Sequence, residues 1–324
     1  MLRLASIAIV GALLLSACGG PSDDQGPLRY GGQIYPGEMV LKGAPELWQQ
    51  ADADVKHIIF SSGTENNQAL ISGEIDVNCG SDSKTVALAK ALGDDLVILA
   101  TIQKGDRYST VVAEGSGITG WAGLKGETVA VRKGSGAEQV LLRFFQQQDD
   151  LSWDDFTWVN LKVEDMPAAL TSGTIAAFTA WEPTPAITEA REQGTVLRSY
   201  GDIASVPVSL HTTRQYLDAH RDQVIAFLRA HLAKAQLIQS DPQRAAGLAA
   251  QAAAASGSEV PSEAFLRIFK RVDFGLEVDA GVLDSIRNTA TFLAEQGRIE
   301  QAPVIRHDPE PLREALATIN NRQD

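Results

Sequence analysis

Five short turns carry most of the side chains able to do chemistry. They are Gln33-Ile34-Tyr35-Pro36-Gly37, Ser61-Ser62-Gly63-Thr64, Gly80-Ser81-Asp82-Ser83, Lys133-Gly134-Ser135-Gly136 and Trp181-Glu182-Pro183, each following or adjoining an apolar run. Four of them place Ser, Thr or Gly where a helical pattern begins. A helix start has backbone N–H groups without intrahelical partners and the positive end of the helix dipole. Several such starts facing one cleft can hold an anion or a polar head group without a buried cationic side chain. Taken singly, the same residues also begin helices as plain caps, so the set points to a site more strongly than any member.

Two further groups add to that chemistry. Trp181-Glu182-Pro183 sets a large apolar plate beside a carboxylate; the pair either covers a ligand and accepts from its amine or hydroxyl, or packs as core with the acid in solvent. Arg107, in Asp106-Arg107-Tyr108-Ser109, is the candidate for a bidentate contact to a sulfonate or carboxylate, a surface position being the alternative. Catalytic patterns are missing. Ser81-Asp82-Ser83-Lys84 fits a bare Ser-x-x-Lys but has no Lys-Thr-Gly or Ser-Asp-Asn partner. The five histidines, His57, His211, His220, His231 and His307, lack metal-site spacing, and the phosphate-loop pattern is absent. The residues suggest a binding protein with no metal or cofactor, and not an enzyme.

The elements that must position these turns alternate between strand and helix. Strands are expected at 28–33, 55–60, 75–79, 96–102, 109–113, 128–131, 157–161, 175–180, 196–199 and 206–211, with helices at 65–72, 84–92, 137–148, 166–171 and 184–193. That alternation predicts an α/β architecture with mostly parallel sheets, followed by an all-helical stretch from Arg214 onward. Ala69-Leu70-Ile71-Ser72-Gly73-Glu74-Ile75-Asp76-Val77 recurs as Ala169-Leu170-Thr171-Ser172-Gly173-Thr174-Ile175-Ala176-Ala177, identical at five of nine positions. In each copy a helix ends at a glycine suited to a left-handed cap and a strand follows, which predicts two similarly built lobes. Lobe one is expected to comprise 28–108 plus 206–324 and lobe two 109–205, so that two crossings form a hinge and the cleft faces the carboxyl ends of the strands.

The amino terminus bears on location. Arg3 precedes an apolar run from Leu4 to Leu15, too short for an ordinary membrane span but suited to a signal-peptide core. Leu15-Ser16-Ala17-Cys18 resembles a bacterial lipobox, so residues 1–17 are expected to be a leader, Cys18 the lipid-modified residue, and 18–27 a tether. The chain of 324 residues has a formal net charge of −13 and only two cysteines. That balance argues against a nucleic-acid binder and excludes a disulfide scaffold or a four-thiolate zinc site. Cys79 then reads as a buried, inert thiol, and a monomer is the default expectation.

Together these residues resemble a family. The lipobox, Ala69–Val77, Gly123-Leu124-Lys125-Gly126-Glu127-Thr128-Val129-Ala130, Lys133-Gly134-Ser135-Gly136, Asp165–Gly173 and Ala180-Trp181-Glu182-Pro183 resemble the aliphatic sulfonate, taurine and nitrate binding proteins of ABC importers. Pyrimidine-precursor (THI5-like) binders share that broader fold. The resemblance implies a type II periplasmic-binding-protein fold that closes on a small polar solute and delivers it to a membrane permease from the cell envelope. It also implies that the ligand meets Tyr35, Ser62, Gly63, Thr64, Ser81, Asp82, Gly134, Ser135, Gly136, Trp181 and Glu182, to which the residue reading adds Arg107. Gly136 departs from the pattern, standing where the family often has a second hydroxyl. Asp82 and Glu182 would add negative charge to a pocket built for anions, which a zwitterion or a nitrogen compound would reconcile. A pyrimidine-precursor binder, an enzyme on the same fold and a ligand-sensing lipoprotein are the rival readings.

Overall fold

The computed structural model describes residues 26–320. The expected leader (1–17), the lipidation site Cys18 and the tether up to residue 25 lie outside the described residues. The chain begins β1 (Leu28–Gly32), α1 (Pro36–Gly43), α2 (Glu46–Gln50), β2 (Val55–Ile59), α3 (Gly63–Ile71), β3 (Val77–Ser81), α4 (Asp82–Leu92) and β4 (Leu96–Gly105). It continues with β5 (Tyr108–Ala113), β6 (Thr128–Val131), α5 (Gly136–Gln146), β7 (Thr157–Asn160), α6 (Met166–Thr171), β8 (Ala177–Trp181), α7 (Thr184–Ala190) and β9 (Gly194–Ser199). The rest is β10 (Val208–Thr213), α8 (Arg214–Ala219), α9 (Arg221–Ser240), α10 (Pro242–Ala255), α11 (Ser262–Arg271), β11 (Val272–Asp273), α12 (Ala280–Glu295) and α13 (Glu310–Asn320). β11 corrects the all-helical reading after Arg214: two residues are too few to show a period of two.

Ten of the strands form two sheets of one design, with β11 added at an edge. The first runs β11-β4-β10-β3-β1-β2 and the second β7-β6-β8-β5-β9, so β3-β1-β2 corresponds to β8-β6-β7 and β10 to β5. The sheets are mixed, which corrects the expectation of mostly parallel pairing. β1 pairs in parallel with β2 and β3, and β6 with β7 and β8. β10 and β5 run antiparallel to both of their neighbours. The reason is connectivity: β10 and β5 are entered from the other sheet and not by a strand–helix–strand crossover, so nothing forces them parallel.

The repeated segment has the same hydrogen bonds in both copies. Gly73 and Gly173 both take φ of +73°, a left-handed conformation that glycine adopts without steric cost. The amides of Glu74 and Ile75 donate to the Ala69 carbonyl, and those of Thr174 and Ile175 donate to Ala169. Each unit therefore turns a helix into the strand at the same place in its sheet, β3 in one and β8 in the other. Those strands end at Ser81 and Trp181, two of the turns that the chemistry singled out.

The chain passes from the first sheet to the second between Gly105 and Tyr108, and returns between Ser199 and Val208. The two passages are bonded to each other: the Gly105 amide donates to Ser205 O at 2.7 Å and the Gly201 amide to Asp106 Oδ1 at 2.6 Å. Separate apolar cores back the sheets, one around Tyr30, Leu99 and Phe227, the other around Trp121, Phe144, Phe145 and Phe156. A third cluster joins Ala186 of α7 to Met39, Ile238 and Phe265, so α7 packs against helices of the first sheet.

Candidate ligand-binding site

A cavity of about 460 Å³ opens between the two sheets. The first sheet contributes the ends of β1, β2 and β3, through Gln33, Ile34, Tyr35, Phe60, Ser61, Ser81, Asp82 and Ser83. The second contributes Ser135 and Gly136 after β6, Trp181 at the end of β8, and Tyr108 at the start of β5; Arg107 stands in the crossing. Parallel strands whose carboxyl ends face each other put their turns into one crevice, which is why turns far apart in sequence meet here.

Arg107 is the decisive group. It is 3% exposed, its Nη1 donates to Val206 O, and its Nε has no partner among the described residues. No carboxylate forms an ion pair with it among the described residues. Its guanidinium carbon lies 5.9 Å from the centroid of Tyr35 and 5.8 Å from that of Tyr108. Aromatic faces attract a cation but do not neutralise it. Val206, which holds Nη1, has φ of +38°, a costly conformation for a β-branched residue. Its amide donates to Ser285 Oγ at 3.1 Å, so both of its backbone polar groups are engaged.

Asp82 shares this wall but is answered differently. Its Oδ2 accepts from Thr289 at 2.8 Å and its Oδ1 from the Ser83 amide at 2.8 Å. Burial raises its pKa above the usual carboxylate range, while Thr289, the Ser83 amide and the charges of Arg107 and Arg143 act against that rise. The Tyr35 phenol is pushed up by burial, and the Tyr108 phenol is pushed up to about 12, so both are neutral donors at ordinary pH.

Of the twelve expected contacts, seven line the cavity: Tyr35, Ser81, Asp82, Arg107, Ser135, Gly136 and Trp181. The other five do not. Ser62 caps α3, accepting from the Glu65 amide at 3.2 Å, and Gly63 packs closely under Gln33 and Lys84. Thr64 accepts from Lys84 Nζ at 2.9 Å. Gly134 donates to Glu138 Oε2 at 2.5 Å and accepts from Arg298 Nη1 at 3.0 Å. Glu182 lies furthest from the expected role. It points away from the cavity to Arg271, at 2.6 Å, and accepts from the Ala186 amide at 3.1 Å. Burial pushes its pKa up to about 7 although Arg271 opposes the shift. Of the two expected carboxylates, only Asp82 lines the cavity.

Tyr108 is the cavity residue that the sequence reading missed most conspicuously. A Cβ on residue 136 would lie 2.5 Å from the Tyr108 hydroxyl, so any side chain there would need the Tyr108 ring to shift. The phenol occupies the space that a hydroxyl side chain on residue 136 would fill. The signal available was position: Tyr108 follows Arg107 at the crossing. Gln33, Ile34, Phe60, Ser61 and Ser83 lay in or beside the turns already selected.

A family model described as NMT1/THI5 like matches residues 46–245, more than half of the chain. The chain belongs to the NMT1/THI5-like family. A protein of Escherichia coli (strain K12) that is named for binding aliphatic sulfonates is 30% identical over 185 residues, 56% of this chain and 56% of that protein. The alignment thus spans just over half of that relative's length. The aliphatic sulfonates-binding protein of Bacillus subtilis (strain 168) is 28% identical over 236 residues, 69% of this chain and 70% of that protein. The crystal structure of the periplasmic aliphatic sulphonate binding protein SsuA from Escherichia coli superposes with a TM-score of 0.71 at 24% identity, covering 90% of this chain and 92% of that one. That likeness establishes the periplasmic-binding fold for this NMT1/THI5-like chain. Among the described residues, no helix is long and apolar enough to cross a membrane.

Proposed function

We propose that this protein is an extracytoplasmic solute-binding protein of an ABC importer that captures a small organic oxyanion of the sulfonate class. The observation that carries this reading is Arg107, a buried cation at the cavity wall with an unpartnered Nε and no carboxylate partner among the described residues. An unpaired buried charge is costly, and an arriving anion would remove that cost by a charge-assisted contact. Ser81, Ser135 and the Tyr108 phenol add neutral donors beside it. The names of the sulfonate-binding relatives support the same class.

In this reading the parts 28–108 plus 206–324 and 109–205 are lobes that close on the ligand about the two crossings, and the permease reads the closed state. The protein acts as a monomer held at the membrane by lipid on Cys18, with no cofactor and no enzymatic step. Thermal denaturation of the purified protein against alkanesulfonates, taurine, nitrate, amino acids and pyrimidines tests the assignment. A ligand at about 100 times its dissociation constant stabilises by roughly 2.7 kcal/mol, a visible rise in melting temperature. A shift confined to sulfonates is the expected result. A shift confined to pyrimidines or amino acids, or none in folded ligand-free protein, would contradict it.

A further inference from the structure

Four aromatic side chains line the cavity around and beyond Arg107. Tyr35 and Phe60 come from the first sheet, Tyr108 and Trp181 from the second, so both sides of the cleft carry aromatic side chains. Tyr108 and Trp181 stand edge to face, with centroids 6.3 Å apart and planes at 83°. Arg107 lies between the Tyr35 and Tyr108 rings, so the charged pole and the aromatic walls adjoin. Volume adds a second constraint. A two-carbon sulfonate displaces on the order of 100 Å³, three or four waters at roughly 30 Å³ each. The cavity, at about 460 Å³, is several times larger.

Resting on the sulfonate reading above, we infer that the ligand is an arylsulfonate: one sulfonate for Arg107 and a flat aromatic body for the four rings. A flat ring fits a slot between aromatic side chains and presents its edge and face to theirs, the arrangements that aromatic pairs favour. A flexible alkyl chain of equal carbon number fills the slot less well and loses rotamer freedom on entry. The body also explains why the outer wall has few charges: among the lining residues only Arg107 and Asp82 are ionisable acids or bases of the usual kind, and both belong to the polar pole.

Titration calorimetry on the whole protein with ethanesulfonate, hexanesulfonate, benzenesulfonate and 2-naphthalenesulfonate tests this. Hexane- and benzenesulfonate have six carbons each, so their ratio isolates the ring. Benzenesulfonate is expected to bind about tenfold more tightly than hexanesulfonate, and 2-naphthalenesulfonate more tightly still. Trp181→Leu should bring the benzene-to-hexane ratio close to one, and Phe60→Leu, at a half-buried position, should lower it if the first variant fails to fold. Hexanesulfonate binding as tightly as benzenesulfonate would overturn the aromatic assignment and leave the sulfonate reading intact. Failure of every sulfonate to bind folded protein would overturn both. An unchanged ratio in a folded Trp181→Leu protein would also overturn the aromatic assignment.

Discussion

Two arginines lie at the boundary between the sheets, and the molecule treats them in opposite ways. Arg271, at the end of α11, holds Glu182 at 2.6 Å and Glu189 at 2.5 Å, two carboxylates flanking or within α7 on the other side of the boundary. Arg107, at the crossing, holds one backbone carbonyl and has an orphan Nε beside the cavity. The first is a finished contact. It fastens α7 to α11, next to the apolar cluster in which Ala186 meets Met39 and Phe265. The second is unfinished: a buried cation at the cavity wall whose Nε has no partner among the described residues. The general lesson concerns carboxylates as much as arginines: Glu182 adjoins the cavity residue Trp181 in sequence yet serves the fastening, because its partner comes from α11.

The largest expected effect separates the two arginines by stability. Arg271→Met leaves the buried Glu182 and the half-buried Glu189 without their cation, and breaking a buried pair in this way costs about 3–5 kcal/mol. Arg107→Met removes a charge that has no carboxylate ion pair among the described residues but leaves the buried Val206 carbonyl without its donor, so it should cost about 1–3 kcal/mol, less than Arg271→Met. Urea denaturation of the two variants at pH 8 makes the comparison, and equal losses would abolish it.

The next effect is a pH dependence on the Arg271 side. The folded pKa of Glu182 is raised to about 7 from an ordinary value of 4.5. Between those values the folded chain retains a proton that the unfolded chain has released. The group's favourable contribution is therefore fully present below about pH 4.5 and is lost as pH rises through about 7. Relative to Glu182→Gln, wild type should lose on the order of 3 kcal/mol between pH 4.5 and pH 8. Parallel stability–pH curves for the two proteins would show that Glu182 titrates normally.

On the Arg107 side a smaller effect is expected from Gly136→Ser. The new Cβ would lie 2.5 Å from the Tyr108 hydroxyl, and overpacking of this kind costs about 1–3 kcal/mol. Sulfonate affinity should fall, and adding Tyr108→Phe should recover part of the lost stability. A serine variant that binds as wild type does would mean that Tyr108 moves aside freely. Smallest of all, Ser62→Ala should cost about 1 kcal/mol of stability as a lost helix cap and leave sulfonate affinity unchanged. A clear drop in affinity would return Ser62 to the site.

Much of this plan was legible in the sequence because it is written in local patterns. The helix–glycine–strand unit at 69–77 and 169–177 announced two sheets of one design, since a left-handed cap is a local demand on a glycine. The turns that line the cavity could be chosen because strand ends and helix starts are local too. What was not legible depended on partners distant along the chain. The antiparallel course of β10 and β5 follows from crossing between sheets, which no periodicity records. Glu182 faces Arg271 because α11 packs on α7, and Gly136 lies against Tyr108 because the start of α5 meets β5. Ser62, Gly63, Thr64 and Gly134 were selected by the same helix-start rule as Ser81 and Ser135; the rule finds helix starts, and only packing decides which of them line the cavity.

The central claim is that Arg107 is the anion-binding pole of the cleft. Its most direct test is calorimetric titration of benzenesulfonate and hexanesulfonate into wild type and Arg107→Met, with melting temperatures measured on the same preparations. The account predicts binding to wild type and an affinity weaker by at least about 30-fold in the variant, the lower end of the roughly 2–5 kcal/mol cost of removing one partner of a buried charge contact. The variant should melt no more than several degrees below wild type without ligand, so both proteins are folded at the titration temperature. Equal sulfonate affinity in both folded proteins would contradict it.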